Sequence, residues 1–364
     1  MTQAPSPDFH SVVLCGDSGS RLWPLSREQL PQPFTTGEDG SSLLQQTLMT
    51  LRGIGALNRA TLVCGEAFRF VASDQLEEMG IFNAHLLLEP CGRGTAAAVA
   101  CAALMAVRKG TDPVMLLCPA ELGIDSDPAL IAGLATAHRA ATAGRMVAFG
   151  MTRAQPTPRR PSFRVPRETD DTTPPSAFLP MLRYIDAAGI DRAPNDDEID
   201  LWHSGILIAK ASVWIAELSR HAPAVLDCAR LAVEHGSEAE QVFKLELVNF
   251  SQSPVGTIES MMLPRSRIAA IVPLDVAWQL DGGTPPTQSI DPDASADPHT
   301  RDTRGTVVYA TRDPVTSADA SDLLLPSGAH RMNDGGSISS TDPLSPLQRA
   351  KPALVGPVGA FSNA

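Results

Sequence analysis

Through roughly its first 150 residues the chain alternates short apolar runs with helix-like stretches, and this rhythm restricts the fold more than any other feature. Ser11 to Cys15 (SVVLC) reads as a buried strand, followed by the Gly/Ser-rich GDSGS and a helix over Ser41 to Leu51. Ala60 to Cys64 reads as a second strand before a helix near Phe68 to Met79. His85 to Leu88 gives a third, and the Ala-rich Thr95 to Val107 is strongly helical. Val114 to Cys118, a helix over Ala129 to Thr142 and a strand over Met146 to Phe149 continue the series. Such alternation predicts a mixed, mainly parallel sheet with helices on both faces, and a ligand site beyond the carboxyl ends of its strands.

The rhythm breaks from Thr152 to Pro180, a Pro-, Arg- and Thr-rich segment without periodicity that reads as a long exposed loop. Order resumes at Leu182 to Asp186 and Leu201 to Ala209, then in helices over Ala211 to His221 and Ala222 to His235. Arg267 to Ala277 reads as the closing strand of a main domain over residues 1–283. From about Thr284 the composition turns to Pro, Asp, Ser and Thr, with strand-like islands at Gly305 to Thr311 and Asp322 to Leu325. Residues 284–364 are therefore expected to form a partly β, largely low-complexity and poorly ordered appendage.

Charge narrows the function. A net charge of -12 argues against a nucleic-acid surface, which needs clustered Lys and Arg. The lysines are Lys109, Lys210, Lys244 and Lys351, so phosphate chemistry would have to lean on Arg and backbone N–H groups. The six cysteines form no C-x-x-C pair and mostly lie in apolar runs, the pattern of buried, reduced thiols. The eight histidines lack metal-ligand spacing. No basic-then-apolar leader and no apolar run of membrane-spanning length occurs, so a cytoplasmic protein without a membrane partner is expected. The acidic run NDDEID, Asn195 to Asp200, reads as a solvated loop.

The most informative segment is Leu14 to Arg27, LCGDSGSRLWPLSR. A glycine-rich turn leaving a buried strand lets backbone N–H groups crowd around phosphate oxygens, because Gly carries no Cβ to obstruct them. Arg21 is placed to offset charge developing on a reacting phosphate and a departing pyrophosphate. The pattern G-x-S-G-x-R-L-x-P-L-S-R is neither a Walker A loop nor the dinucleotide fingerprint.

This segment resembles the signature of bacterial mannose-1-phosphate guanylyltransferases. The likeness continues in register through SSLLQQTLMTLRGI, TLVCGEAFRFVASDQLEE, LEPCGRGTAAAVACAAL, LLCPAELGI, LWHSGILIAKASVWIAELSRHAPAVLD and IAAIVPLDVAWQLDGG, about Val12 to Gly283. It implies a Rossmann-like, GT-A-like nucleotidyltransferase fold. It also implies a reaction in which GTP and mannose 1-phosphate give GDP-mannose and diphosphate with Mg²⁺, by in-line attack of the sugar phosphate on the α-phosphorus. Carried over by position, Leu14, Gly16, Ser18, Gly19 and Ser20 would hold the triphosphate, with Arg21 catalytic. Glu89, Gly92 and Arg93 would lie near the guanine. Glu121 falls at the metal-binding position, with Glu259 and Asp281 as candidates for a second carboxylate. His203, Ser204, Gly205 and Asp186 fall where the sugar and its phosphate are contacted. A homodimer is the assembly left open.

The departures from the family pattern fall on functional positions. Asp17 replaces a loop glycine, and the lysine of a P-K-Q-F stretch is absent from Pro31, Gln32, Pro33, Phe34. Glu121 and Leu122 stand for Asp and His, and Asp186, Ala187, Ala188 replace E-K-P. His203 and Gly94 each stand for Asn, and the Asp of W-S-D-V-G is displaced in Trp278 to Gly282. A tyrosine-rich loop is replaced by Gln155 to Phe163, leaving Arg159, Arg160 and Arg164 as substitute cations. Two readings therefore stay open: an active guanylyltransferase supplying a polysaccharide precursor, or a non-catalytic relative that binds nucleotide or a paralogue and regulates. The histidine-rich cupin of longer family members does not occur here, so no isomerase activity is expected.

Overall fold

In the computed structural model the described residues are 7–16, 31–37, 40–108, 110–124, 127–152, 161–167, 178–186, 193–276 and 278–279. The remainder, which includes Ser18, Gly19, Ser20, Arg21, Arg159, Arg160, Asp281 and the whole appendage, lies outside them. The chain divides into two units, residues 1–289 and 290–364.

The first half builds strand–helix units in the expected order. Strand β1 (His10–Leu14) leads to helix α1 (Leu43–Gly53), β2 (Arg59–Gly65) to α2 (Arg69–Glu78), and β3 (Ala84–Glu89) to α3 (Thr95–Val107). β4 (Val114–Pro119) and the two-residue β5 (Gly123–Ile124) precede α4 (Pro128–Thr142) and β6 (Met146–Met151). Local chemistry sets the helix starts. Ser42 and Gln45 form a reciprocal capping box at α1, with Ser42 Oγ accepting from Gln45 N at 3.1 Å and Gln45 Oε1 from Ser42 N at 2.9 Å. Asp127 caps α4 ahead of Pro128, its carboxylate accepting from Ala129 N at 2.6 Å.

The second half is more irregular. Short strands β7 (Ser162–Pro166), β8 (Leu179–Pro180) and β9 (Arg183–Ile185) come before the long β10 (Glu198–Lys210). Helices α5 (Ala211–His221) and α6 (Pro223–Glu234) follow, then the hairpin β11 (Ser237–Ala239) and β12 (Val242–Lys244). Two short helices, α7 (Leu247–Ser251) and α8 (Ile258–Met262), lead to β13 (Ala269–Leu274) and β14 (Trp278–Gln279).

The main sheet has the order β11-β12-β3-β2-β1-β4-β10-β6-β13-β8, with β7 on β10 and β9 on β7. β12, β3, β2, β1 and β4 are mutually parallel, as are β6 and β13, while β10 runs antiparallel between β4 and β6. Strand alternation divides the core. Val13, Leu62 and Leu86 pack with α1, α2 and α4 on one face, and Val12, Val63 and Leu87 pack with α3, α5 and α6 on the other. α3 is buried on nearly every side, and its alanines let it lie close to the sheet while α5 and α6 pack over it. Among the described residues no helix is long and apolar enough to cross a membrane.

Two expectations need correction. The segment from Thr152 to Pro180 is not one exposed loop, since β7 lies within it with Phe163, Arg164 and Val165 buried and pairs with β10 from Glu198 to Trp202. Its period-two signal is only Phe163 and Val165, short enough to be masked by flanking Pro and Arg. The run NDDEID is likewise not wholly a solvated loop, because Glu198, Ile199 and Asp200 open β10 and Asp200 binds buried Arg164. Residues 153–160 and 168–177 lie outside the described part.

Candidate active site

The carboxyl ends of β1, β2 and β3 open into a cavity of about 340 Å³, lined by Cys15, Gly16, Gly65, Glu66, Phe68, Glu89, Pro90 and Gly92 among others. This is where a ligand sits in an open parallel sheet. A larger groove of about 800 Å³, bordered by Ile81, Phe82, Ala84 and Gln241, lies at the amino ends of β3 and β12 and belongs to a different surface.

Glu89 ends β3 and is 5% exposed. Its Oε2 lies against Gly16, where an added Cβ would meet it at 2.8 Å. Its Oε1 is buried without a hydrogen-bond partner among the described residues. Burial pushes its carboxyl up to about 8, so it is mostly a neutral acid at pH 7. The loop after it is pinned from the other side: Gly256 N donates to Arg93 O at 3.3 Å and Ala96 N to Gly256 O at 3.2 Å. Gly94 adopts φ 80° and ψ 172°, a region open essentially to glycine alone, and a Cβ there would stand 2.4 Å from Gly256 O. The Gly94 departure is thus enforced by the close approach of residue 256. Arg93 is half-buried, with its Nε unpartnered among the described residues.

Glu121 follows β4 on a turn held by α1. Thr47 Oγ1 donates to Ala120 O and accepts from Leu122 N, both at 2.9 Å, and Ala120 N donates to Leu14 O at 3.1 Å. The carboxylate is half-buried, and its charge reaches the thiols of Cys15 and Cys118. Burial first, and Glu121 second, pushes Cys118 up to about 12. Burial also dominates at Cys15 and Cys64, keeping both as thiols, in agreement with the inert, reduced reading.

Beyond β4, β10 departs from regular pairing between His203 and Leu207, and Gly205 takes φ 86°, where an added Cβ would meet the Pro119 ring at 3.2 Å. His203 is 6% exposed, its ring centroid 4.8 Å from that of Phe163, and its Nδ1 accepts from Gly205 N at 3.2 Å. That bond assigns the neutral tautomer with hydrogen on Nε2, which faces Glu259 Oε1 at 3.8 Å. Buried Ser204 turns its Oγ to Ile206 N at 3.0 Å. Asp186 is exposed after β9.

Glu259 belongs to this side. Its Oε2 lies 3.5 Å from Thr95 Oγ1 at the start of α3, and Thr95 Oγ1 accepts from Ile258 N at 2.9 Å. Burial pushes its carboxyl up, but the facing His203 N–H, with backbone and Thr257 contacts, holds it below the ordinary value. Among the described residues no three of His, Cys, Asp and Glu gather to hold a metal ion. Arg164 is not a spare phosphate cation: it is 2% exposed and its Nε and Nη2 each bond Asp200 at 2.8 Å. Sequence reading missed Thr47, Gly256 and Asp200, which act through contacts distant in the chain.

Residues 10–159 match the family described as nucleotidyl transferase. An alginate biosynthesis protein AlgA of Pseudomonas fluorescens is 33% identical over 269 residues, 73% of this chain and 55% of the relative. A xanthan biosynthesis protein XanB of Xanthomonas campestris pv. campestris is 32% identical, covering 74% and 57%. A mannose-1-phosphate guanylyltransferase of Escherichia coli is 29% identical, covering 73% and 56%. The chain thus spans a little over half the length of the curated relatives it matches. A solved structure titled mannose-1-phosphate geranyltransferase, from Thermus thermophilus, shares the fold at TM-score 0.60 and 24% identity over 76% of each chain. Residues 10–159 thus belong to the nucleotidyl transferase family, and over nearly three quarters of its length the chain is similar to relatives that include a mannose-1-phosphate guanylyltransferase.

Proposed function

We propose that this chain transfers a guanylyl group from GTP to mannose 1-phosphate, giving GDP-mannose and diphosphate for polysaccharide precursor synthesis in the cytoplasm. The observation that carries the reading is the buried Glu89 carboxyl, with one oxygen unpartnered among the described residues, in a cavity that begins where Gly16 leaves β1. Guanine offers two adjacent donors, N1–H and the 2-amino group, which pair with the ionised form of Glu89, so guanine binding would release the proton this carboxyl otherwise holds at pH 7.

With the base against Glu89, the triphosphate runs over the glycine-rich loop from Gly16, where backbone N–H groups and Arg21 receive it. The sugar phosphate lies on the β10 side, near His203, Ser204, Gly205 and Asp186. Its oxygen forms a bond to the α-phosphorus as the bond to the bridging oxygen breaks and diphosphate leaves with the electron pair. Glu121 fits a Mg²⁺ ion. Magnesium commonly takes one or two protein carboxylates plus substrate phosphates and waters, and Thr47 fixes the Glu121 turn at the strand ends. When bound, the ion would neutralise charge on the transferring phosphoryl group. Loop arginines would supply the other positive charge.

Diphosphate release with mannose 1-phosphate, Mg²⁺ and each NTP in turn tests the reading. Release with GTP in preference to ATP, CTP and UTP, reduced about 100-fold or more in Arg21→Ala, is expected. No release from folded protein with any NTP would overturn it.

A further inference from the structure

The sugar-side bulge and the start of α3 are separate in the chain but meet through two side chains. His203 Nδ1 receives the Gly205 N–H at 3.2 Å, and the opposite ring nitrogen, buried and without a hydrogen bond among the described residues, faces Glu259 Oε1 at 3.8 Å, a long N–H to carboxylate contact. Glu259 in turn rests on Thr95 of α3 at 3.5 Å, where a carboxylate also complements the positive helix terminus. The two ends of this chain of contacts differ in support. The α3 end has independent bonds: Thr95 Oγ1 to Ile258 N at 2.9 Å, Gly256 O to Ala96 N at 3.2 Å and Gly256 N to Arg93 O at 3.3 Å. The bulge end lies where the ladder with β6 loses its register between His203 and Leu207. There the His203 bond to Gly205 N joins two others, His203 N to Pro161 O and Ile206 N to Ser204 Oγ, both at 3.0 Å, and it is the one whose side chain faces α8.

We infer that His203 and Glu259 form a positioning strap that fixes the Ser204–Gly205 bulge against α3 and so sets the site for the sugar phosphate. Neither side chain is a catalytic residue. The strap rests on the guanylyltransferase reading only for what the bulge contacts; its mechanical part is independent. Glu259 is accordingly a partner of His203 rather than a second metal carboxylate.

The test uses the full chain with His203→Phe, which keeps the ring beside Phe163, Glu259→Leu, which nearly keeps the volume and removes both acceptor oxygens, and the double variant. Deuterium uptake is followed in peptides covering residues 201–207 and 92–97. Expected is faster exchange in 201–207, about tenfold, with 92–97 unchanged, since one hydrogen bond is lost at the weakly held end. The double variant should be no worse than His203→Phe alone. Kinetically, KM for mannose 1-phosphate should rise on the order of tenfold while KM for GTP stays within about twofold. Unchanged exchange in 201–207, acceleration in both segments, or an equal rise in both KM values would overturn the strap. Should the wild-type protein show no turnover, the guanylyltransferase reading fails, and the exchange experiment alone still decides the strap. If His203→Phe does not fold, Glu259→Leu is read instead, with exchange in 201–207 rising in the same direction but less, because the Gly205 N–His203 bond remains.

Discussion

The cleft at the ends of β1, β2 and β3 is shaped by glycines, backbone turns and a single buried acid, Glu89, whose Oε1 has no partner among the described residues. Across the sheet on β10 most polar groups are bonded, Arg164 to Asp200, His203 Nδ1 to Gly205 N and Ser204 Oγ to Ile206 N, and His203 Nε2 stands 3.8 Å from Glu259 without a hydrogen bond among the described residues. The strand-end cleft thus keeps a buried polar atom without a hydrogen bond among the described residues, which costs stability. The sugar side uses its polar groups to fix a strand that is irregular by itself. The same sheet carries a recognition surface on one side and a braced frame on the other.

The largest effect should come from unbracing the frame. Asp200→Ala leaves the Arg164 guanidinium, 2% exposed, without its bidentate partner. Its loss should cost about 3–5 kcal/mol in urea unfolding, with an unchanged m-value. A cost below about 1 kcal/mol would show that Glu198, 3.9 Å from Arg164 Nε, takes over the role and that the frame is redundant.

The reserved acid should respond in the opposite sense. Glu89 is raised in the folded protein to about 8, so it remains protonated there while the unfolded chain ionises near 4.5. Folding then binds the extra proton between these values, and stability from this group is lost as pH rises from about 4.5 through about 8. Glu89→Gln removes that dependence. The variant should match wild type near pH 4, exceed it by about 3 kcal/mol at pH 7, and gain no more above about pH 8, at a cost in GTP selectivity. Thermal melts across pH 4 to 9 check this. Parallel curves for the two proteins would mean the carboxyl is already ionised and paired.

How far each region was legible follows from the same contrast. The base side was read nearly element by element. Alternating apolar runs mark β1 to β4, the Thr95 to Val107 helix matches its expected limits, and Glu89 and Gly16 come together as their motif positions imply. These signals are local in sequence. The sugar side depends on pairs such as Arg164 with Asp200 and His203 with Glu259, which adjacent residues do not encode. β7 was hidden for that reason: a buried arginine at its centre makes sense only beside Asp200. The phosphate loop with Arg21 and the Asp281 position fall outside the described residues, so their roles rest on the family pattern.

Gly94 lies between the two regimes, a local glycine whose necessity comes from a distant backbone carbonyl. Gly94→Asn would insert a Cβ at 2.4 Å from Gly256 O in a conformation reserved for glycine. It should cost about 2–3 kcal/mol and weaken GTP binding more than mannose 1-phosphate binding. Normal stability in calorimetry would show that the 254–257 turn yields, and that the base side is less rigid than its backbone contacts imply.

The smallest effect tests whether the base side has a brace of its own. Thr47 reaches from α1 to bond Ala120 O and Leu122 N at 2.9 Å each, clamping the turn that carries Glu121. Thr47→Val is nearly the same shape but leaves both backbone groups without the hydroxyl, in a buried setting. A stability loss of about 1–2 kcal/mol is expected, small enough for the protein to stay folded. Because Glu121 is the carboxylate proposed to hold Mg²⁺, the ion concentration giving half-maximal rate should rise several-fold in the variant, while KM for mannose 1-phosphate stays put. A shift in the sugar-phosphate KM without a shift in the metal requirement would place the clamp in the service of the frame. The division between a side that reserves its polar groups and a side that uses them would then fail at the end of β4, where Gly205 and Pro119 meet.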